Sequence, residues 1–261
     1  MIPVMRPDGV LLHVRVDEGS APVAVLGHGA GSTSAFVRAC LADAVRSRGW
    51  RVATYEHRGH GPVVLRDPQL LSLQHIADDL GAVAEAVGAS AVGGISLGAH
   101  AAVHWAARQP PGRVDTLMVV CPAWTGTPDR VAAANAQQAD RLESLGLQGC
   151  LEEVRAHAPP WLAREVSAWW SSHDLVSLCA VLRTLAGQAA PDEPMLAALD
   201  APMAVAVLHD DPLHPAEVGR RWAQLAPSAA LGSTTLAELG ADRAALGAAL
   251  GAALDALQSS A

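Results

Sequence analysis

Through the first 120 residues, short apolar runs alternate with stretches whose apolar positions recur every three to four residues. That rhythm predicts strands and amphipathic helices in turn. Residues 5–16 hold Pro7-Asp8-Gly9 and then alternating Val10, Leu12, Val14 and Val16, which predicts a hairpin. Residues 21–26 predict a short buried strand ending in Gly27-His28-Gly29-Ala30-Gly31, followed by a helix over 34–48 that stops at Gly49. The next strand is expected at 51–55. A helix follows over 73–87, then a strand over 90–94, a helix reaching residue 108 and a buried strand over 114–120. Strands alternating with helices imply a mostly parallel sheet covered on both faces.

The rhythm breaks at Trp124. From there to about Met195 no segment reads as a strand, and residues 129–145, 151–157, 161–170 and 175–185 have helical spacing. Alternation returns with a strand over 203–208, a helix over 215–226, a weak strand over 232–237 and a last helix from Asp242. No internal repeat or low-complexity linker interrupts the chain.

Composition narrows the class. The chain has 261 residues, 51% of them apolar and 17% charged, which suits a compact α/β protein and argues against disorder. The net charge of −8 comes without a basic cluster, so nucleic acid is not an expected partner. Cys40, Cys121, Cys150 and Cys179 are widely spaced, with no CxxC or ligand-like pairing, and read as reduced thiols. The N-terminal stretch has no basic segment leading into an apolar run, so a signal peptide is not expected. The Ala- and Leu-rich stretch over 241–257 is interrupted by Asp242, Arg243 and Asp255 and is too short to span a bilayer. A soluble cytoplasmic protein with no membrane association is the expectation; nothing in the chain decides its oligomeric state.

Four segments carry candidate chemistry. Gly94-Ile95-Ser96-Leu97-Gly98 sits between a strand-like and a helix-like stretch, the context in which a small-x-Ser-x-small turn projects its hydroxyl from the top of a sheet. The N–H groups that follow it open a helix and face developing negative charge favourably. The plainer reading is an ordinary serine in a tight turn. His28-Gly29-Ala30-Gly31 and Tyr55-Glu56-His57-Arg58-Gly59-His60-Gly61 each follow a strand. The fourth, His209-Asp210-Asp211-Pro212-Leu213-His214-Pro215, also follows one, and its plainer reading is a turn aspartate before proline.

Together these segments resemble the α/β-hydrolase fold over nearly the whole chain. The resemblance implies a mostly parallel central sheet flanked by helices, with a helical cap inserted after strand 6. Residues 1–124 and 195–261 would form the core and 125–194 the cap. It implies Ser96 as nucleophile and the backbone N–H groups of Ala30 and Leu97 as the oxyanion donors. Asp211 would be the acid that orients an imidazole, with Asp210 as runner-up. His28, His57 and His60 read as structural in this pattern, and Glu56 stands where the family usually carries aspartate.

The family's histidine follows the last strand, but this chain has no histidine after His214. Asp242 stands about where the imidazole is expected; it makes a good helix cap and a poor base toward serine. Three alternatives remain open: His214 serves from the acid loop itself, His209 or His28 serves from a neighbouring strand end, or no histidine serves.

Trp124, Trp161, Trp169 and Trp170 cluster in the inserted region, and Trp161, Glu165 and Trp169 share one helix face. They read either as glue between cap and core or as an apolar pocket over Ser96, with His28 and Cys121 beside it. The expected activity is a serine hydrolase taking a small to medium apolar ester, thioester or related acyl substrate through an acyl-enzyme. No metal or organic cofactor is implied. The competing readings are a catalytically impaired homologue that binds a ligand or regulates, and a lyase or isomerase on the same scaffold.

Overall fold

The computed structural model describes residues 1–65 and 67–260, apart from the side chain of Ser260. Its apolar runs build one eight-stranded sheet in the order β1-β2-β4-β3-β5-β6-β7-β8. The strands are β1 (Ile2–Met5), β2 (Leu11–Val16), β3 (Val23–Gly27), β4 (Arg51–Thr54), β5 (Ala89–Ile95), β6 (Thr116–Val120), β7 (Met203–Leu208) and β8 (Ala229–Thr234). β1 and β2 form an antiparallel hairpin, and β2 also runs antiparallel to β4. Every pairing from β4 to β8 is parallel. Central β3 and β7 are buried at every position, as expected for parallel strands covered on both faces.

Two apolar layers flank the sheet. On one face α1 (Ser34–Arg46) packs with α10 (Ala244–Ser260) through Leu41, Val45, Leu246 and Leu250. On the other face α2 (Leu73–Val87), α3 (Leu97–Ala106) and α8 (Ala216–Leu225) contribute Ile76, Leu80, Val103 and Trp222. Between β6 and β7 the chain leaves the sheet for α4 (Arg130–His157), α5 (Pro160–Trp170), α6 (Leu175–Ala186) and the short α7 (Glu193–Ala197). This is the helical insertion after strand 6. Its own apolar cluster joins Ala139, Leu142 and Cys150 of α4 to Leu178, Cys179 and Leu182 of α6.

The label α4 spans two helices that meet at a kink at Gly146 (φ 68°, ψ 174°), in keeping with the two segments expected over 129–145 and 151–157. Two expectations need correction. The last strand lies at Ala229–Thr234, three residues before its expected start. It is an edge strand paired only with β7 and half exposed, so it lacks the continuous apolar run that marks a central strand. The residues after it form α9 (Leu236–Ala241), opened by a reciprocal cap between Thr235 and Glu238. The last helix therefore starts at Ala244, where the Asp242 carboxylate accepts the Ala244 N–H at 2.9 Å.

Candidate active site

Ser96 joins β5 to α3 with φ 52° and ψ −108°, a backbone conformation that costs a non-glycine residue about 1–3 kcal/mol. The flanking glycines are explained by close approach. A Cβ at Gly94 or at Gly98 would fall 2.2 Å from the Gly27 carbonyl oxygen, so the turn closes against β3 only without side chains there. Backbone hydrogen bonds fix it further: Ser96 N–H donates to Val120 at 2.8 Å and Gly98 N–H to His28 at 3.0 Å. Ser96 is half-buried, and its hydroxyl has no hydrogen-bond partner among the described residues. The N–H groups of Leu97 and Ala30 likewise donate to no protein acceptor among the described residues, whereas Gly31 N–H is taken by His60.

The two aspartates of the loop after β7 have different partners. Asp210 accepts the Leu236 N–H at 2.6 Å and ties the loop to the start of α9. Asp211 accepts the Leu213 N–H at 2.9 Å with one oxygen and faces His214 Nδ1 at 2.7 Å with the other. Burial raises its pKa, but the His214 hydrogen bond and the imidazole's charge outweigh that and hold the carboxyl below the usual aspartate value. A proton on Nδ1 in this geometry leaves the Nε2 lone pair of His214 free. The loop lies at the same end of the sheet as Ser96. Asp211 is close enough to Cys121, the residue after Val120, to add to the rise that burial causes in its thiol pKa.

The other two candidate histidines are otherwise engaged. His209 is exposed and its Nδ1 meets the Arg220 guanidinium at 3.0 Å. His28 is fully buried, with Nδ1 on the Gly29 carbonyl at 2.8 Å and Nε2 accepting the His57 N–H at 3.0 Å. Glu56 Oε2 also lies 3.1 Å from His28 Nε2, while its Oε1 accepts from the Ser34 N–H and hydroxyl. His28 is thus a hub beneath the loop rather than a group facing outward.

The remaining pocket candidates are packed against the core. Trp161 covers Gly240 of α9, where a Cβ would come within 2.3 Å of its indole nitrogen. Glu165 pairs with Arg243, and the Trp169 ring meets Phe36 at 4.7 Å. The shared face of α5 therefore lies on the core. Trp124 is buried edge-on to His100 at 4.8 Å. Cys121 is buried at φ 50° among core side chains of the α1 and α10 face. Cavities of about 330 and 340 Å³ lie elsewhere, the first lined by α4 residues including Arg141 and Cys150, the second between Asp8–Leu11 and Pro62–Leu65.

Sequence reasoning missed several contacts. His100 Nε2 accepts the Ala123 N–H at 3.0 Å, and the Trp222 indole donates to the Thr125 hydroxyl at 2.7 Å, so α3 and α8 together pin the loop after β6. Burial, with additions from His104 and His214, pushes His100 down to about 3. Trp170 packs on Gly31, and His173 accepts the Gly61 N–H at 2.8 Å. No sequence signal marks these contacts, because the partners lie far apart along the chain.

A mostly parallel sheet, helices on both faces, a serine-bearing strand–helix turn and a helical insertion after strand 6 define a capped α/β-hydrolase. The chain belongs to the serine aminopeptidase S33 family (Hydrolase_4), whose profile matches residues 20–229. Among solved structures it is similar to a carboxylesterase of the thaumarchaeon Nitrososphaera gargenis, with TM-score 0.74, 17% identity and coverage of 87% of this chain and 86% of that one. It is also similar to Rv0554 of Mycobacterium tuberculosis, with TM-score 0.74, 21% identity and coverage of 98% and 97%. A third is the enol-lactonase of Burkholderia xenovorans LB400, with TM-score 0.68, 22% identity and coverage of 84% and 85%. At these identities the likenesses show the fold. No curated protein matches the chain. Among the described residues no helix is long and apolar enough to cross a membrane.

Proposed function

We propose that this protein is a serine hydrolase acting on small to medium apolar esters, thioesters or related acyl compounds through an acyl-enzyme. The observation that carries the reading is the strained Ser96 turn, which leaves the serine hydroxyl without a protein partner. Strain of this kind persists only where surrounding structure enforces it, and it concentrates at functional sites.

Ser96 Oγ attacks the acyl carbon and gives its proton to Nε2 of His214. Asp211 holds the ring in the required tautomer and stabilises the imidazolium. The negative oxygen that develops is received by the N–H groups of Ala30 and Leu97, each worth about 3 kcal/mol by analogy with a measured donor. His214 then returns the proton to the departing alcohol or thiol, and the acyl group stays on Ser96. Water, deprotonated by the same imidazole, releases the acid. In this reading residues 125–194 act as a cap over a core of 1–124 and 195–261, and Trp124, Trp161 and Trp169 bound the acyl site. The four free, buried cysteines fit a reducing cytoplasm.

One observation favours a second reading. Ser96 is not hydrogen-bonded to any imidazole among the described residues, as expected of a homologue that binds a ligand or runs lyase or isomerase chemistry without an acyl-enzyme. Free serine enzymes also show long nucleophile–base separations that tighten with substrate. The test is turnover of p-nitrophenyl butyrate by the wild type, Ser96→Ala and His214→Ala. Turnover lost in both variants supports the serine mechanism with His214 as base. Wild-type turnover no greater than that of Ser96→Ala supports the second reading.

A further inference from the structure

An oxyanion donor on a loop is useful only if its peptide plane is held, and the structure shows how the Ala30 loop is held. Gly31 follows with φ 68° and turns its own N–H away to His60 Nε2 at 2.9 Å. His60 is fully buried, and its Nδ1 lies 3.2 Å from the Arg58 carbonyl. Acceptance at Nε2 therefore places the ring proton on Nδ1, donated to Arg58. The next residue, Gly61 at φ 51°, donates its N–H to Nδ1 of His173 at 2.8 Å, and the His60 and His173 rings meet edge to face at 5.1 Å. His173 belongs to the turn between α5 and α6, and Trp170, the last residue of α5, stands so close that a Cβ on Gly31 would lie 3.2 Å from its indole nitrogen.

From this chain of contacts we propose that His60 and His173 are positioning residues for the Ala30 oxyanion donor, linking the cap to the hole. The proposal rests on the reading of Ala30 as a donor. His60 holds the loop directly, and His173 holds the segment that carries His60. Neither ring faces the reacting atoms. Both act as neutral acceptors of backbone N–H groups. Displacing the α5–α6 turn releases Gly61 first and then Gly31, so the Ala30 N–H is aligned only while the cap is seated.

The experiment compares His60→Ala with His60→Gln and His173→Ala with His173→Asn, in which the amide oxygen replaces the accepting nitrogen. Two quantities are read: p-nitrophenyl butyrate kinetics, and amide hydrogen exchange at Gly31 and Gly61. The alanine variants are expected to lose about 10- to 100-fold in kcat, less than deletion of a full donor, with KM nearly unchanged. The amide variants are expected to recover most of the loss. Exchange at Gly31 should quicken about tenfold or more in both alanine variants, and exchange at Gly61 in His173→Ala. Unchanged exchange in folded alanine variants overturns the proposal, even if the wild type proves to have no esterase activity. Faster exchange without a kcat effect in an active enzyme, or equal losses in the amide and alanine variants, overturns it as well. If His60→Ala does not fold, His173→Ala and the two amide variants decide.

Discussion

Asp211 and His214 meet at 2.7 Å within a single turn of chain, so acid and imidazole come from one loop after β7. The family's usual order takes its histidine from beyond the last strand. Here β8 is followed by Thr235 and the capped helix α9, whose first N–H is tied to Asp210. Asp210→Ala should therefore loosen the start of α9 and lower stability by about 1 kcal/mol while Asp211 still holds His214. Asp211→Asn should lower kcat far more than it lowers stability. Thermal melts beside ester kinetics separate the two aspartates; equal effects on both would remove the distinction.

The Ser96 backbone makes its own forecast. Glycine adopts its φ and ψ freely, so Ser96→Gly should be stabilised by about 1 kcal/mol, the relieved strain less the entropy glycine loses on folding. Tm should rise by about 2–4 °C in a chain of this size. A lower Tm would mean that the turn is not strained.

Acid should unfold the protein early. Burial first, then neighbouring imidazoles, holds His57 and His60 well below the ordinary value, and His100 is pushed down to about 3. As pH falls through about 6.5 these rings take protons in the unfolded chain but not in the folded one, so stability falls with pH. Each ring that stays neutral contributes about 1.4 kcal/mol per pH unit. Glu56 carries the opposing effect of burial but is held at about 2 by His28 and Ser34, so its share of stability is lost only below about pH 4.5. Urea unfolding at pH 7, 6 and 5 should show a steep decline. His100→Gln should flatten it, and a level profile would contradict the account.

The buried pair Arg58–Asp79 sets a larger effect. Both side chains are within 1% of full burial, and two guanidinium N–H groups meet the carboxylate at 2.6 and 2.7 Å. Asp79→Ala leaves Arg58 facing only Asp8 and the Leu70 carbonyl, and should cost about 3–5 kcal/mol. Replacing both with apolar residues of similar volume should cost less than the single change, because Arg6 and Asp8, which lose their partners, still reach solvent. Chemical denaturation of the single and double variants checks this.

How much of this was legible in the sequence depended on distance along the chain and on burial. β3 and β7 read correctly because both faces are covered and every residue is apolar or small. β8 did not, because an edge strand alternates weakly, and the Thr235–Glu238 cap that opens α9 went unread. The Ser96 turn was legible because the approach of Gly27 demands glycines at 94 and 98. Asp211 and His214 were legible as neighbours three residues apart. The grip of His173 on Gly61 spans 112 residues, and only the folded chain brings them together.

The central claim is that Ser96 carries the acyl group, and intact-mass analysis of protein quenched during p-nitrophenyl acetate turnover tests it most directly. The account predicts one acetyl group, on the peptide containing Ser96, formed by the wild type, formed far more slowly by His214→Ala because the same imidazole serves acylation, and absent from Ser96→Ala. No acetyl group on the wild type, or one that persists in Ser96→Ala, would contradict it.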